Sequence, residues 1–149
     1  MKAALFFHLL GAVVWVGGMF FAWVCLRPAA AATLQPPLRL QLWAGVFARF
    51  FPSVWAAIAA ILASGVYLLY LVGERYAPGY AYVMAATGVL MMLIFGHVYF
   101  GPYRRLTRAV AAEDWQAGGA ALGAIRRLVG VNLLLGVFTV AAATLGALL

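Results

Sequence analysis

Acidic side chains and cysteines are what this chain has least of. Three of its 149 residues are Asp or Glu, charged residues of all kinds make up 9%, and Cys25 is the single cysteine. A lone thiol excludes a disulfide framework and a thiolate metal cluster. The sequence also lacks a Ser/His/Asp or Cys/His arrangement, a phosphate-binding loop and zinc-ligand spacing, so a hydrolase is not expected.

Apolar residues dominate instead and make up 68% of the chain. That share exceeds the share in an average soluble domain and predicts an integral membrane protein whose partner is the lipid bilayer. The formal charge of +7 comes from Lys and Arg, which we assign to contacts with anionic lipid head groups. No nucleic-acid partner is expected, because no basic run carries interleaved exposed aromatics.

Hydrophobic runs of about 20 residues predict four membrane-spanning helices in a single domain, 1–149. Their expected bounds are about 3–26, 53–72, 80–100 and 128–149. Pro28 is expected to stop the first helix, and Pro52 to lie in the first turn of the second. The segments 38–51 and 103–116 predict two amphipathic helices lying in the interface, the latter ended by Gly118-Gly119. The predicted fold is an all-α four-helix transmembrane bundle with two interfacial helices.

Arginines are concentrated in two of the three connections. Arg27, Arg39 and Arg49 lie between spans 1 and 2, and Arg104, Arg105, Arg108, Arg126 and Arg127 between spans 3 and 4. The connection between spans 2 and 3 holds only Arg75. The positive-inside rule therefore predicts a bacterial-type inner membrane protein with both termini outside. The two halves share one layout, which suggests a duplicated helical hairpin.

His8 is an ionisable side chain inside the first apolar run, where a polar group is costly unless it faces a bundle interior, a cavity or a ligand. Helical periodicity places His8, Ala12, Trp15 and Met19 on one face. Gly11, Gly17 and Gly18 allow a neighbouring helix or a flat ligand to approach it. The alternative is an ordinary packing face that holds one hydrogen-bonded histidine.

The predicted topology also gives the depths of the other candidate ligands. His8 and Met84 are expected at the outer level, and Met19 and His97 at the inner one. The two histidines would be offset by about 16 Å along the membrane normal, which argues against both binding one haem. Each His/Met pair suits Cu(I) or low-spin haem iron, while methionines also serve as core filler.

Several polar residues could support such a site. Asn132 is placed to donate a hydrogen bond to His97, with interhelical packing as the alternative. Arg49, Arg126 and Arg127 lie where they could bind haem propionates, another carboxylate or lipid phosphates, and Arg27 is a further candidate for an anionic group or lipid. The small residues of span 4, Gly130, Gly136 and Ala141 to Ala143, offer a face for a homodimer.

Short motifs along nearly the whole chain resemble the copper resistance D (CopD-like) membrane family. They are His8-Leu9-Leu10, Trp15-Val16-Gly17-Gly18, Leu26-Arg27-Pro28, Arg49-Phe50-Phe51, Ser64-Gly65, and Arg126-Arg127 to Asn132 and Gly136. A more distant similarity is to HemJ-type protoporphyrinogen oxidases, through the span 1 histidine, Trp-x-x-Gly and His97-Val98-Tyr99 followed by Arg104-Arg105. The HemJ family carries a lysine in span 3, and this chain does not.

The CopD resemblance implies copper passage or handling at the inner membrane, and the HemJ similarity implies haem b. The positions that match are His8, Trp15, Gly18, Arg27 and His97. The first hypothesis is copper handling, with His8 receiving the ion and methionines passing it inward, served by a periplasmic copper donor. The second is a haem b redox protein with a redox partner, and the third a cofactor-free structural or partner subunit. Whether the chain is an enzyme stays open.

Overall fold

Four long helices, joined by short connections, make up the bundle. The computed structural model describes residues 1–73 and 76–146. The helices are α1 (Lys2–Thr33), α2 (Pro36–Val72), α3 (Gly79–Ala111) and α4 (Trp115–Leu145), and each is long and apolar enough to cross a membrane. The predicted all-α, four-span fold is confirmed. Glu74 and Arg75 of the expected turn, and 147–149 of the expected fourth span, lie outside the described residues.

Helix α1 does not end at Pro28, so that prediction was wrong. The helix passes through a π-helical turn at Ala22–Leu26, where the Arg27 N–H bonds to the Ala22 carbonyl, and continues as Arg27–Thr33. A proline lacks the N–H that an α-helix interior needs. A wider turn just before it rearranges the hydrogen-bond ladder, so the helix continues with few carbonyls left unpaired in lipid.

Helix α3 also has a π-helical turn near a proline and continues beyond it. A π-helical turn at Tyr99–Tyr103 includes Pro102, and the helix then continues as Arg104–Ala111. The helix end expected at Gly101-Pro102 is therefore absent. Each half of the chain consists of a helix with a π-helical turn at a proline followed by a second long helix, which is the layout expected of a duplicated hairpin.

The segment 38–51 is not a separate interfacial helix but the first part of α2, and Pro52 lies inside that helix. Its apolar stripe, which includes Leu40, Trp43 and Phe47, is buried against the other helices. A stripe that packs on protein has the same period as one that lies on lipid, which is why the pattern misled us. At 37 residues, α2 is about 55 Å long and exceeds a hydrocarbon core of about 30 Å.

The segment 103–116 is likewise divided between two helices. It includes the end of α3, a turn, and the start of α4, where the Asp114 carboxylate accepts a hydrogen bond of 2.9 Å from the Ala117 N–H. Gly118 and Gly119 therefore lie inside α4 rather than ending a helix. A Cβ on Gly118 would lie 3.1 Å from Leu40, so this glycine allows α4 to pack closely on α2.

The helices pair as two antiparallel hairpins, α1 with α2 and α3 with α4. Gly11 of α1 faces the Ile61 side chain and the Ala57 carbonyl of α2. In the other hairpin, Thr139 of α4 donates a hydrogen bond of 2.7 Å to Thr87 of α3. The hairpins meet where Gly136 of α4 contacts Val16 and Met91.

Aromatic rings fill the centre between the hairpins. Phe51 lies next to Pro52 and contacts Phe47, Phe95 and Tyr103 at centroid distances of 4.9, 5.3 and 4.8 Å. Ring contacts of this kind stabilise beyond the area that they bury. Phe51 therefore packs α2 against α3 near Pro52 of α2 and Pro102 of α3.

We expect Gly11→Ala to destabilise the bundle by about 1–3 kcal/mol, because the added methyl would lie 2.9 Å from the Ile61 side chain and 3.0 Å from the Ala57 carbonyl. The matched control is Gly17→Ala, which meets no atom within 4 Å and should keep or raise stability through helix propensity. Thermal unfolding in detergent measures both. Equal effects of the two substitutions would contradict this account of the α1–α2 contact.

Candidate functional site

The side chain of His8 is held by α2. Its Nδ1 lies 2.9 Å from the Ser64 hydroxyl, and that hydroxyl donates its own hydrogen to the Ala60 carbonyl. A serine has one hydrogen to donate, so when that hydrogen is on the Ala60 carbonyl the Ser64 oxygen accepts from the Nδ1–H of His8. The imidazole then carries its proton on Nδ1, and Nε2 keeps a free lone pair.

Small residues make room for this ring. A Cβ on Gly65 would lie 3.3 Å from the His8 Cε1, so a larger residue there would press on the imidazole. The face of α1 that carries His8 also buries Trp15 and Met19, as helical periodicity predicted, while Ala12 on that face is half-buried and Gly11 beside it is buried. Gly17 was expected to help this approach, but a Cβ added there would meet no atom within 4 Å.

Towards the arginine-rich end of the bundle, this face opens on a cavity of about 330 Å³ between the four helices. Trp15, Gly18, Met19 and Asn132 all line it, so the structure brings together four of the residues singled out from the sequence. The rest of the wall is almost entirely apolar and includes the rings of Phe47, Phe50, Phe51 and Phe95.

Asn132 is the polar group of this cavity. The residue is 3% exposed, and its carbonyl oxygen has no hydrogen-bond partner. An unpaired acceptor in an apolar interior costs about 1–3 kcal/mol. The predicted hydrogen bond from Asn132 to His97 gains no support here, since His97 does not line the cavity.

His97 is exposed on the outside of the bundle. Because Val16 and Met91 both contact Gly136, they mark one level. Counting along the helices from that level puts His97 about 21 Å from the level of His8. The two histidines therefore cannot share one metal or haem.

The two expected His/Met pairs differ in outcome. Counting from the same level places Met84 close to the height of His8, and Met84 is half-buried. Met19 lies about three residues from the level of His97, but it is buried while His97 is exposed. The structure therefore does not bring the inner pair together.

A cluster of three or more of the usual charged or imidazole metal ligands is absent from the described ranges. Residues 1–73 and 76–146 hold no group of three or more His, Cys, Asp or Glu side chains, and Cys25 is exposed. The donors that the interior does offer are one imidazole and the thioethers of Met19 and Met91, both 3% exposed. Such soft ligands suit Cu(I) better than Ca²⁺ or Mg²⁺.

Three arginines from different helices lie in the same region beyond the cavity. Arg126 precedes the apolar stretch of α4, and its Nε is buried without a hydrogen-bond partner. The guanidinium groups of Arg27 and Arg39 lie within electrostatic range of Arg126. Arg27 itself lies over the Trp23 ring at 4.6 Å. We call Arg27, Arg39 and Arg126 the arginine cluster.

The other two arginines expected to bind an anionic group lie apart from this cluster. Arg127 is exposed, and the exposed Arg49 donates a hydrogen bond of 3.3 Å to the Gly45 carbonyl of its own helix. Arg39, which the sequence analysis did not single out as a ligand, takes part instead. The lone unpaired Nε of Arg126 distinguishes it from its neighbour Arg127.

Two glycines of the small-residue face of α4 pack inside the chain. A Cβ on Gly130 would meet the Trp23 ring at 2.8 Å, and one on Gly136 would meet Val16 at 2.9 Å. Both glycines therefore let α4 pack on α1. A homodimer stays a prediction, but these two residues do not provide its interface.

Residues 44–146 match the family described as copper resistance protein D. The chain belongs to the CopD family. No curated protein and no solved structure matches it, and the HemJ similarity receives no support. A CopD chain with four apolar helices is a multi-pass membrane protein of the copper-resistance type.

The CopD match includes Ser64, Asn132 and Arg126, whereas His8, Trp15, Gly18 and Arg27 precede it. Ser64 was noted in the sequence for the resemblance alone, and its bond to His8 was missed. Antiparallel pairing of spans 1 and 2 could have indicated it, because the outer end of one span faces the outer end of the other.

We expect the His8 ring in this CopD protein to be protonated on Nδ1 in the neutral state, because the Ser64 hydroxyl hydrogen goes to the Ala60 carbonyl. Nitrogen-15 NMR of the His97→Ala variant, in which His8 is the only histidine, measures this directly. Ser64→Ala should give a mixture of both tautomers. A proton found mainly on Nε2 would contradict the hydrogen-bond assignment.

Proposed function

We propose that this CopD-family protein handles copper inside the membrane, with His8 as the residue that receives the ion. The observation that carries the proposal is the His8–Ser64 hydrogen bond. It fixes the orientation of the imidazole and leaves Nε2 free to coordinate. Metal-binding histidines characteristically donate their other ring N–H to such a neighbour.

Methionines would carry the ion further along the bundle. Met84 lies near the height of His8, Met91 is buried where the two hairpins meet, and Met19 lines the cavity. Thioether and imidazole are soft ligands that favour Cu(I). The ion is cargo in this scheme, so each step needs a ligand that binds it without holding it permanently.

The topology is part of the same proposal. Positive-inside arginines would put the His8 end outside the cytoplasm, where a periplasmic copper donor could deliver the ion. Haem b is the weaker alternative, since the exposed His97 and the half-buried His8 are on different levels and no observation here favours a porphyrin. A cofactor-free subunit would leave the orientation of His8 without a use.

His8→Ala should abolish tight Cu(I) binding by the purified protein, because the proposed receiving ligand is lost. His97→Ala is the matched control and should bind as the parent does, since it removes an imidazole that faces outward. Competition with a chromogenic Cu(I) chelator measures both. Equal loss in the two variants, or a parent protein that binds no copper and whose deletion causes no copper-dependent phenotype, would refute the proposal.

Ser64→Ala should weaken Cu(I) binding by about 10–100-fold, since losing the neighbour that orients a metal-binding histidine typically has this effect. Ser53→Ala, which alters an exposed serine of the same helix, provides the control. The same chelator competition applies. A Ser64→Ala variant with parental affinity would show that the hydrogen bond to His8 serves packing alone.

A further inference from the structure

The cavity and the arginine cluster are neighbours. The cavity wall includes Leu26 of α1 and Leu128 and Val129 of α4, while Arg27 directly follows Leu26 and Arg126 lies about one helical turn before Val129. The Cα–Cβ bonds of a helix tilt towards its N-terminus, so the Arg126 side chain leaves α4 on the side of the arginine-rich end.

The charge of this region is not balanced by nearby acids. The charged groups that act on Arg126 are two further arginines, and the buried Nε of Arg126 lacks a partner. Of the described acidic residues, Asp114 caps α4 and Glu113 is exposed in the same turn. Three guanidinium groups from three helices, within electrostatic range at Arg126, favour an anion in this region.

The cavity specifies the rest of the ligand. Its volume is about 330 Å³ and its wall is nearly all apolar, which suits a hydrocarbon chain. The free carbonyl of Asn132 lies six residues beyond Arg126 on α4, or about 9 Å along the axis. A hydroxyl on the chain at that distance from the anionic group would satisfy it.

We infer that the cavity and the arginine cluster together form a binding site for an anionic lipid. Its carboxylate or phosphate lies on Arg27, Arg39 and Arg126, and its chain fills the cavity. Asn132 selects chains that carry a hydroxyl. This site is separate from His8, which lies towards the opposite end of the bundle, so it does not depend on the proposed copper function.

Binding can be tested with the full chain in neutral detergent, using dibromostearate as the probe. Its bromine atoms quench tryptophan fluorescence on contact, and Trp15 lines the cavity. We expect saturable quenching that falls clearly in Trp15→Phe. Quenching that is unchanged in Trp15→Phe would place the lipid elsewhere and overturn the inference.

The arginine cluster is tested by a matched pair of neighbouring residues. Arg126→Gln should weaken dibromostearate binding about tenfold, as expected for losing a hydrogen bond to a charged group. Arg127→Gln removes the same charge from an exposed neighbour and should change it by less than about twofold. Equal losses would show general attraction to a positive surface and overturn the site. Arg126→Lys, compared at equal thermal stability, separates loss of charge from misfolding.

Competing ligands identify the head group and the role of the cavity. Displacement by oleate but not by phosphatidylglycerol assigns a carboxylate, and the reverse assigns a phospholipid phosphate. Phosphatidylcholine should compete poorly. Full displacement by inorganic phosphate would show that the hydrocarbon chain contributes nothing and overturn the inference.

The role of Asn132 is tested separately. Hydroxystearate should compete better than stearate, and Asn132→Leu should remove that difference. His8→Ala should leave all of these results unchanged.

Discussion

The close approach of α1 to α2 is the contact on which the rest of the structure depends. Gly11 faces the backbone of α2, and Gly18 leaves room for the Phe50 ring. If α1 and α2 were further apart by the width of one methyl group, His8 would move away from Ser64 at one end of the bundle. The cavity would widen at the other end. In a bilayer there is no hydrophobic driving force between helices, because lipid tails are as apolar as the side chains. Close packing at small residues therefore supplies much of the energy that holds the helices together. The glycines therefore position both sites at once.

The bundle has a chemically uneven interior. One end offers the His8 imidazole, a ligand type that binds Cu(I), and the other offers three guanidinium groups that repel cations and attract anions. An ion that entered at His8 and moved past Met91 would approach an increasingly positive region. An anionic lipid on the arginines would reduce that repulsion. The two proposed sites could therefore assist each other without sharing a residue.

The sequence predicted features that depend on length and period, and missed those that depend on which side of a helix faces protein. The four spans and the shared face of His8, Trp15 and Met19 followed from such patterns. The exposure of His97 did not, because a helix surrounded by lipid is apolar on every side and its pattern does not mark the interior. Pro28 misled for a related reason, since the requirement for internal hydrogen bonds in lipid keeps a helix going where water would let it end.

The π-helical turn of α1 sets how its two ends are rotated relative to each other. Such a turn inserts one residue into an α-helix, and each residue corresponds to about 100° around the axis. Without this insertion, the last turns of α1 would be swung by roughly a quarter of a circle. A residue other than Ala30 would then be the one buried there. One extra amino acid thus sets the rotation of the helix end that carries Arg27 relative to the end that carries His8.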